Sequence, residues 1–352
     1  MTELSSDIPP AMLADRFKTL RYDEDEDAVI VLNRRKYPFE IEYVTLRTVE
    51  AVAGAIEDMT VQGGPPLAYV AGLGLALAAR DLDDQLEDRL EQAAQRLLAT
   101  RPTADDLHHL VPAALKIGQE ALRKGEKPFR PMLDYVNGEI RRGNEVSRLC
   151  GTYAASLVED GDRILTHCIA GAALCWMLWV AKGQGKTVTL IGCETRPYFQ
   201  GARLTAASAR EMDIDFRLIT DGMSAHLMSR GQIDKFICAA DRITMDGHIT
   251  NKVGTLTHAI AAHHFGKPFY VLGYDGPDPD TATGADIPIE ERDPEEVFHA
   301  RGREGRVRTA VEGIGGYYPA FDITPPHLIS AICTDRGIFA PQAIRDYFNQ
   351  EG

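Results

Sequence analysis

Short apolar runs that alternate with amphipathic segments dominate the chain after about residue 150. The runs are RILTHC, TVTLIGC, DFRLIT, KFICAA and PFYVLGY, and segments with a helical period, such as GARLTAASAREM and HAIAAHHFG, separate them. Strands that are apolar along their whole length are typical of a parallel sheet with helices on both faces. We therefore predict a Rossmann-like domain with a parallel sheet over residues 151–352.

The first part of the chain has a different pattern. In AVIVLNRRKYPFEIEYVTL a polar turn with a proline interrupts β-rich runs, which predicts a small antiparallel sheet. From TVEAVAGAIEDM onwards, apolar residues recur at intervals of three and four, which predicts helices. We predict a mostly helical N-terminal domain with this small sheet over residues 1–130, and a connecting helix over 131–150. The fold class is therefore α/β with two domains.

Composition restricts the class of partner. The chain has 52 acidic and 38 basic residues, a formal net charge of −14, and such a field repels nucleic acid and anionic membranes. The opening residues lack the pattern of a signal peptide, and no apolar run is long enough to span a membrane. The six cysteines form no C-x-x-C pair, which is typical of free thiols in a reducing compartment. We expect a cytoplasmic protein that binds a small molecule, and neither nucleic acid nor a membrane.

Polar and reactive residues stand where several predicted strands end. They are His167-Cys168, Cys193-Glu194-Thr195-Arg196, Thr220-Asp221 and Asp241-Arg242. The carboxyl ends of parallel strands meet at one edge of the sheet, where α/β proteins bind ligands. The segment AGAAL after Cys168 can begin a helix whose dipole favours a thiolate. The alternatives are a buried filler cysteine for Cys168, and an N-cap or an ion pair with Arg242 for Asp241.

A thiol and a carboxylate that face one cleft form an acid/base pair, because they can move protons in opposite directions on neighbouring substrate atoms. No nucleophilic triad is predicted, since His167 should point to the opposite face of its strand from Cys168. The helical histidines lack the H-E-x-x-H spacing of a zinc site. We expect neither a metal nor an organic cofactor.

The glycine-rich turn VQGGPP is a candidate anion site in the first domain. Gly63 and Gly64 allow backbone N–H groups to approach an anion, and the alternative is an ordinary turn. GLGLALA matches a dinucleotide-binding pattern but lies inside a helical segment and follows no strand, so we reject it. Arg101 and Lys252 lie in loop-like segments, where a basic residue either binds a ligand or is simply solvated.

Several stretches, in order and over nearly the whole chain, resemble the methylthioribose-1-phosphate isomerases. They are NRRKYPFEIEYVTLRTVEAVAGAIEDM, VQGGPP, TRPTADDL, THCIAG, ETRPYFQGARLTA, AADRITMDGHITNKVGT, IPIEER and PAFDITPPHLISAICTDRGI. That family shares a superfamily with ribose-1,5-bisphosphate isomerase and the regulatory subunits of translation initiation factor two-B. The resemblance implies a homodimer that acts in methionine salvage without a cofactor.

The resemblance also implies roles for individual residues. The catalytic cysteine of the family, in T-H-C-N-A-G, corresponds to Cys168, and its catalytic aspartate, in G-A-D-R, corresponds to Asp241. The regulatory subunits typically lack this pair. The positions implied to hold the substrate are Gln62, Gly63, Gly64, Arg101, Gln200, Asn251 and Lys252.

The implied reaction converts an aldose 1-phosphate into the ketose 1-phosphate. The phosphate on the anomeric oxygen prevents opening to a free aldehyde, so the ring oxygen must be protonated as its bond breaks. A carboxylic acid kept protonated in an apolar site suits this step, and we assign it to Asp241. Cys168 then handles hydrogen transfer between the second and first carbons, either as hydride or through an enol phosphate.

The chain departs from the family pattern near the implied site. Gln62 replaces the arginine of R-G-A-P, Asp106 replaces the asparagine of P-T-A-x-N, and Ile169 replaces the asparagine after T-H-C. The N-G-D before the lysine motif is Asp246-Gly247-His248 here. We expect S-methyl-5-thioribose 1-phosphate or an analogue such as 5-deoxyribose 1-phosphate or ribose 1,5-bisphosphate as substrate. The alternative is a regulatory protein of the initiation-factor type that binds a sugar phosphate or nucleotide without converting it.

Overall fold

The computed structural model describes residues 10–101, 104–169 and 171–349, with the backbone alone at residue 105. Contacts divide the chain into two compact units. The smaller unit is Asp15–Glu145, and the larger unit consists of Val146–Gly352 together with the N-terminal segment up to Ala14. The N-terminal segment contributes a 3₁₀ turn, Met12–Ala14, to the larger unit. The sequence did not predict this placement.

The smaller unit contains a three-stranded sheet and a group of helices. Its elements are α1 Arg16–Thr19, β1 Leu20–Asp23, β2 Ala28–Leu32, β3 Tyr43–Leu46, α2 Val49–Glu57, α3 Gly64–Leu77, α4 Leu86–Leu98, α5 Asp105–Arg123 and the first part of α6 Phe129–Ala155. The strands pair antiparallel in the order β1-β2-β3, as predicted. Helix α3 carries no charged residue and is buried from Leu67 to Leu77, so it forms the centre of this unit.

The larger unit contains the parallel sheet. Its elements are β4 Asp162–Thr166, α7 Gly171–Gly183, β5 Val188–Cys193, a π-helical turn Gly201–Thr205, α8 Ala206–Glu211, β6 Asp215–Ile219, α9 Ser224–Ser229, β7 Lys235–Ala239, β8 Arg242–Ile243, β9 Ile249–Lys252, α10 Thr255–His264, β10 Phe269–Leu272, β11 His299–Gly302, β12 Gly305–Arg308, β13 Phe321–Thr324, β14 Ala331–Thr334 and β15 Gly337–Phe339. Further 3₁₀ turns are Asp221–Met223, Gly284–Asp286, Pro294–Glu296, Pro326–Leu328 and Pro341–Asn349.

The main sheet has seven strands in the order β15-β14-β10-β7-β4-β5-β6, and all its pairs are parallel except β14 with β15. From the central strand β4 the chain continues to β5 and β6 on one side, and then crosses to β7 on the other. The topological switch point, where open α/β sheets bind ligands, therefore lies between β4 and β7. The predicted α/β class with a Rossmann-like sheet is confirmed.

Alternating side chains of the main sheet pack into two separate apolar clusters. Ile164 and Ile237 belong to one cluster, with residues of α7 and α8, whereas Leu165 and Phe236 belong to the other, with residues of α10. Neighbouring residues of a strand point to opposite faces, so both faces of the sheet are covered. This burial explains why the strands are apolar without alternation. Among the described residues, no helix is both long and apolar enough to cross a membrane.

The sequence did not predict the two strands at the β15 edge or the smaller antiparallel pairings. These pairings are the hairpin of β11 with β12 and a three-stranded sheet in the order β13-β9-β8. Strand β8 has only 2 residues and β11 and β12 are mostly exposed, so their sequences lack the apolar pattern of the main sheet. The pairing of β9 with β13 is relevant to the site, since it fixes Lys252 opposite Phe321.

Candidate functional site in the larger unit

Cys168 and Asp241 lie at the switch point of the main sheet. Cys168 follows the end of β4 and Asp241 follows the end of β7, and these strands are hydrogen-bonded neighbours. The parallel direction of the strands places both residues at the same edge. The charge of Asp241 acts on the thiol of Cys168, and the charge of Lys252 acts on both, so the three side chains form one electrostatic group.

Two threonines hold the backbone of Cys168. The residue is buried and has φ of 65°, a left-handed conformation that is uncommon for a residue with a side chain. Its N–H donates to Oγ1 of Thr195 over 2.9 Å, and its carbonyl oxygen accepts from Oγ1 of Thr205 over 2.7 Å. The left-handed turn aims the thiol in a direction that a continuing strand would not allow.

Thr195 is itself held by the next strand end. The two carboxylate oxygens of Asp221 accept the backbone N–H groups of Thr195 and Arg196, each over 2.8 Å. Thr195 also has a left-handed φ of 65°. Asp221, Thr195 and Cys168 therefore form a chain of hydrogen bonds that links the ends of β6, β5 and β4. The sequence predicted that Thr195 and Asp221 lie at strand ends, but it predicted no role for them.

Burial controls the ionisation of Cys168. It raises the pKa of the thiol to about 12, and the opposing effect of Lys252 is smaller. The thiol is therefore protonated near neutral pH, and the expectation that the dipole of the following helix favours a thiolate is wrong for this structure. Helix α7 does begin after Cys168, at Gly171. Desolvation of the sulfur is the largest cause of the raised pKa.

Lys252 is a buried cation at this edge. Its ammonium lies 4.4 Å from the ring centroid of Phe321 and 5.9 Å from that of Tyr318, within the range of cation–π attraction. Burial lowers the pKa of Lys252, and the neighbouring Cys168 and Asp241 act in the opposite direction. The loop placement predicted from sequence is incorrect, because Lys252 is the last residue of β9.

Asp241 differs from its expected environment. The residue is exposed, and its backbone N–H donates to the carbonyl oxygen of Thr250 over 2.8 Å. From the sequence, this carboxyl group was expected in an apolar site that would keep it protonated. In the structure water reaches it, because the chain leaves the sheet at Ala240 and turns back into β8.

Gln200 and Asn251 occupy buried positions in the larger unit. Within the described residues, Oε1 of Gln200 is buried and has no hydrogen-bond partner, which is costly unless a ligand supplies a donor. The amide nitrogen of Asn251 donates to Oγ1 of Thr255 over 3.0 Å and lies 3.5 Å from Sγ of Cys238. The amide group of Asn251 is thus largely used inside the protein, whereas Gln200 retains a free acceptor.

Two buried histidines form a hydrogen-bonded chain behind Cys168. His167 Nε2 lies 3.0 Å from the carbonyl oxygen of Val253, which requires a proton on that nitrogen. His167 Nδ1 is then the acceptor for Nε2 of His258 at 3.3 Å, and Nδ1 of His258 accepts from Oγ of Ser224 at 2.8 Å. Sγ of Cys193 lies 3.4 Å from Nε2 of His258. His167, Cys193 and His258 are therefore close enough together to hold a metal ion. Neutral imidazoles satisfy the hydrogen bonds to Val253, between the two histidines and to Ser224.

In the smaller unit, the glycine turn begins α3. Gly63 is the N-cap residue of α3, with φ of 92°, and no side chain caps this end of the helix among the described residues. Gln62 is buried, and its Nε2 donates to the carbonyl oxygen of Met59 over 3.0 Å. A Cβ on Gly64 would lie 2.5 Å from a carboxylate oxygen of Asp106, so a larger residue there would require this exposed side chain to move. Nη1 of Arg101 lies 3.3 Å from Sδ of Met59.

One further residue contacts this turn and was not predicted from the sequence. Arg34, which follows β2, is buried, and its Nη1 donates to the carbonyl oxygen of Gln62. No local pattern identifies it, because 28 residues separate the two positions. Ile169 is half-buried and joins the lining of a small pocket with Leu174 and Leu178, so no polar group replaces the family asparagine at this position.

The larger unit is thus an α/β domain whose switch point carries a thiol, an ammonium and a carboxyl group, the equipment for acid/base chemistry on a small molecule. The chain belongs to the initiation factor 2 subunit family, whose model matches residues 60–341. It is 38% identical to the methylthioribose-1-phosphate isomerase of Thermosipho africanus over 93% of this chain and 96% of the relative. It is 39% identical to the enzyme of that name from Geobacillus thermodenitrificans, over 89% and 90%.

Solved structures of two kinds share the fold. The crystal structure of 5-methylthioribose 1-phosphate isomerase from Pyrococcus horikoshii matches with a TM-score of 0.79 and 32% identity, and the match covers 98% of each chain. The structure described as translation initiation factor eIF-2B, subunit delta, from A. fulgidus matches with a TM-score of 0.75 and 34% identity, over 92% of this chain and 96% of that one.

Proposed function

We propose that this protein is an aldose–ketose isomerase that converts S-methyl-5-thioribose 1-phosphate to the corresponding ketose 1-phosphate. Close analogues, 5-deoxyribose 1-phosphate and ribose 1,5-bisphosphate, belong to the same substrate class. The observation that carries the proposal is the grouping of Cys168, Lys252 and Asp241 at the switch point of the sheet. The extensive identity to enzymes named as methylthioribose-1-phosphate isomerases supports it.

Asp241 is the general acid in this proposal. Its carboxyl group gives a proton to the ring oxygen as the bond from that oxygen to the first carbon breaks. Asp241 is exposed in the free protein, so we assign its acid form to the complex. A bound sugar displaces water from the carboxyl group and its phosphate adds negative charge, and both effects favour the protonated form.

The next step moves a hydrogen from the second carbon to the first. Burial raises the pKa of Cys168 to about 12, and a protonated thiol cannot accept that hydrogen as a proton. We therefore favour direct hydride transfer to the cationic first carbon, with Cys168 beside the migrating hydrogen. The hydroxyl on the second carbon then loses its proton and becomes the ketone, which balances the proton given by Asp241.

Proton and phosphorus NMR of the purified protein with each of the three sugar phosphates tests this proposal. We expect a ketose 1-phosphate from at least one of them, and none when the Cys168→Ala protein is used. In deuterium oxide, hydride transfer gives a product without deuterium on the first carbon, whereas an enol phosphate introduces it there. Loss of the substrate signals without a ketose, or no change with any of the three, would exclude the isomerase.

A binding protein of the regulatory type is the second candidate. The observation that favours this candidate is the match, at 34% identity, to a structure described as an initiation factor subunit. It predicts that sugar phosphates raise the melting temperature of the protein and yield no product. The NMR experiment therefore separates the two candidates with the same samples.

We also propose that the protein works as a homodimer in the cytoplasm. The family resemblance supports the dimer, and the free state of all six cysteines fits a reducing compartment. Light scattering coupled to gel filtration measures the mass, and 38.7 kDa would be the mass of a monomer and would contradict the dimer.

A further inference from the structure

The glycine turn of the smaller unit has an arginine packed against it from a distant part of the chain. The backbone N–H of Arg34 donates to the carbonyl oxygen of Thr60 over 3.0 Å, and its Nη1 donates to the carbonyl oxygen of Gln62. A Cβ on Gly63 would lie 3.6 Å from that Nη1, so the guanidinium is in contact with the turn itself. Both the strand end and the side chain thus fix Arg34 at this place.

The turn has few backbone donors of its own. Pro65 and Pro66 carry no N–H, and the N–H of Leu67 donates to the carbonyl oxygen of Gly63 over 3.2 Å. Gly63 and Gly64 therefore supply the N–H groups that an anion at the start of α3 would meet. A side-chain cation adds to these donors and to the positive end of the helix dipole.

Two buried polar groups mark the same turn. Burial lowers the pKa of Arg34 to about 10, with a smaller contribution from Arg16, so the guanidinium keeps its charge near neutral pH. Oε1 of Gln62 is buried and, within the described residues, has no hydrogen-bond partner. A buried acceptor of this kind is satisfied by a ligand that donates a hydroxyl hydrogen.

We propose that Arg34 supplies the cation that binds a phosphate group at the Gln62–Gly63–Gly64 turn, and that Oε1 of Gln62 accepts a hydroxyl of the same ligand. The ligand class is a phosphate monoester of a polyhydroxy compound, which rests on the proposed function for its identification as a sugar phosphate. Asp106 lies on the Gly64 side of the turn and opposes the anion, so the cation is on the Gly63 side.

A charge exchange between positions 34 and 62 tests this assignment. The carbonyl oxygen of residue 62 accepts a hydrogen bond from the Arg34 guanidinium. An arginine side chain at position 62 would therefore place a cation at the same turn. We would measure binding of inorganic phosphate to the full chain by calorimetry, for Arg34→Gln, Gln62→Arg and the double variant. Arg35→Gln is the matched control, because Arg35 is the neighbouring residue and its Nη1 pairs with Asp58 over 2.9 Å at the surface.

Arg34→Gln is expected to weaken phosphate binding about ten- to hundredfold, the effect of one charge-assisted hydrogen bond, and the double variant to regain most of it. Arg35→Gln is expected to bind as the wild type does. A role of Arg34 in folding alone would not be rescued by an arginine at position 62. Arg34→Lys keeps the positive charge. A melting temperature of this variant well below that of the wild type would show that Arg34 also contributes to folding.

Unchanged phosphate binding in a folded Arg34→Gln protein, or no recovery in the double variant, would overturn this assignment. Failure of the wild type to bind phosphate would overturn it as well. Turnover of the sugar phosphates is measured on the same proteins. Phosphate binding that depends on Arg34 without any turnover would refute the isomerase and leave the assignment of Arg34 intact.

Discussion

The strand-end site of the larger unit and the glycine turn of the smaller unit position their polar groups in opposite ways. In the larger unit, Cys168 and Thr195 follow successive strands of one sheet, and their hydrogen bond connects the two strand ends. In the smaller unit, the turn has mainly backbone groups, and its cation, Arg34, comes from a strand end elsewhere in the chain. The strand order of the sheet determines the arrangement in the larger unit. In the smaller unit, a single side-chain contact determines it.

The largest expected difference between the two units is their response to acid. In the larger unit, burial lowers the pKa of His258 from 6.5 to about 3, and that of His167 is also lowered. In the smaller unit, His108 and His109 are exposed. Between pH 6.5 and 3 the unfolded state protonates His258 and the folded larger unit does not, so the contribution of this histidine to stability falls as the pH falls. Burial raises the pKa of Asp322 to about 6, and this carboxyl group acts in the opposite direction.

Intrinsic fluorescence can follow the larger unit alone, because both tryptophans of the chain, Trp176 and Trp179, lie on α7. Urea unfolding monitored by this fluorescence should lose stability steeply below pH 6.5. The His258→Leu protein should show a shallower dependence. An equal pH dependence in the variant would mean that His258 is not held neutral by burial, and hydrogen exchange in α3 provides the comparison with the smaller unit.

The next largest effect concerns catalysis in the larger unit. Asp241→Asn and Cys168→Ala should each reduce kcat by about 10²–10⁴-fold, since Asp241 is the proposed general acid and Cys168 is proposed to lie beside the migrating hydrogen. Cys175→Ala is the matched control for the thiol, because burial raises the pKa of Cys175 to about 12 as well, although it lies inside α7. A fully active Asp241→Asn protein would mean that another group protonates the ring oxygen.

A smaller effect is expected from the residue that positions Cys168. Thr195→Ala removes the acceptor of the Cys168 N–H and leaves a buried donor unsatisfied, which costs about 1–3 kcal/mol. We expect kcat to fall about ten- to hundredfold with little change in KM, because the thiol loses its orientation. Thr195→Ser keeps the hydroxyl and should restore most of the activity. Equal losses in both variants would indicate that packing of the methyl group, rather than the hydrogen bond, matters.

Sequence reasoning succeeds for the larger unit because its rules are local. Apolar runs identify strands, and parallel strands place Cys168 and Asp241 at one edge whatever the details of packing. The ionisation of Cys168 could not be predicted in this way, because it depends on how completely the surrounding structure excludes water. The exposure of Asp241 was likewise missed, since it depends on the path of the chain between β7 and β8.

For the smaller unit, sequence reasoning identified the turn but not its charge. Replacement of the expected arginine by Gln62 predicts a turn with one cation fewer. The structure places Arg34 there instead, through a contact between residues 28 positions apart. A sequence motif includes only neighbouring residues. A cation that comes from another element and replaces the missing arginine can therefore be identified only in the folded structure.

The smallest expected effect tests the charge of the turn from its other side. The carboxylate of Asp106 lies beside Gly64, and a charge a few ångströms from a bound anion opposes it by about 1 kcal/mol when solvent screens the pair. Asp106→Asn should therefore strengthen phosphate binding about three- to tenfold. Glu24→Gln removes the same charge from an exposed pair with Arg130 in the smaller unit and should change nothing.

The result for Asp106→Asn also distinguishes two ways in which the turn can be built. If Arg34 and Asp106 act independently on the anion, Arg34→Gln weakens binding by the same factor with Asp106 or with asparagine at position 106. If the carboxylate mainly orients the turn through Gly64, Asp106→Asn weakens binding, because the backbone N–H groups then lose their direction. Weaker binding would thus identify Asp106 as a support of the turn, and the positive charge of the site would rest on Arg34 and the start of α3.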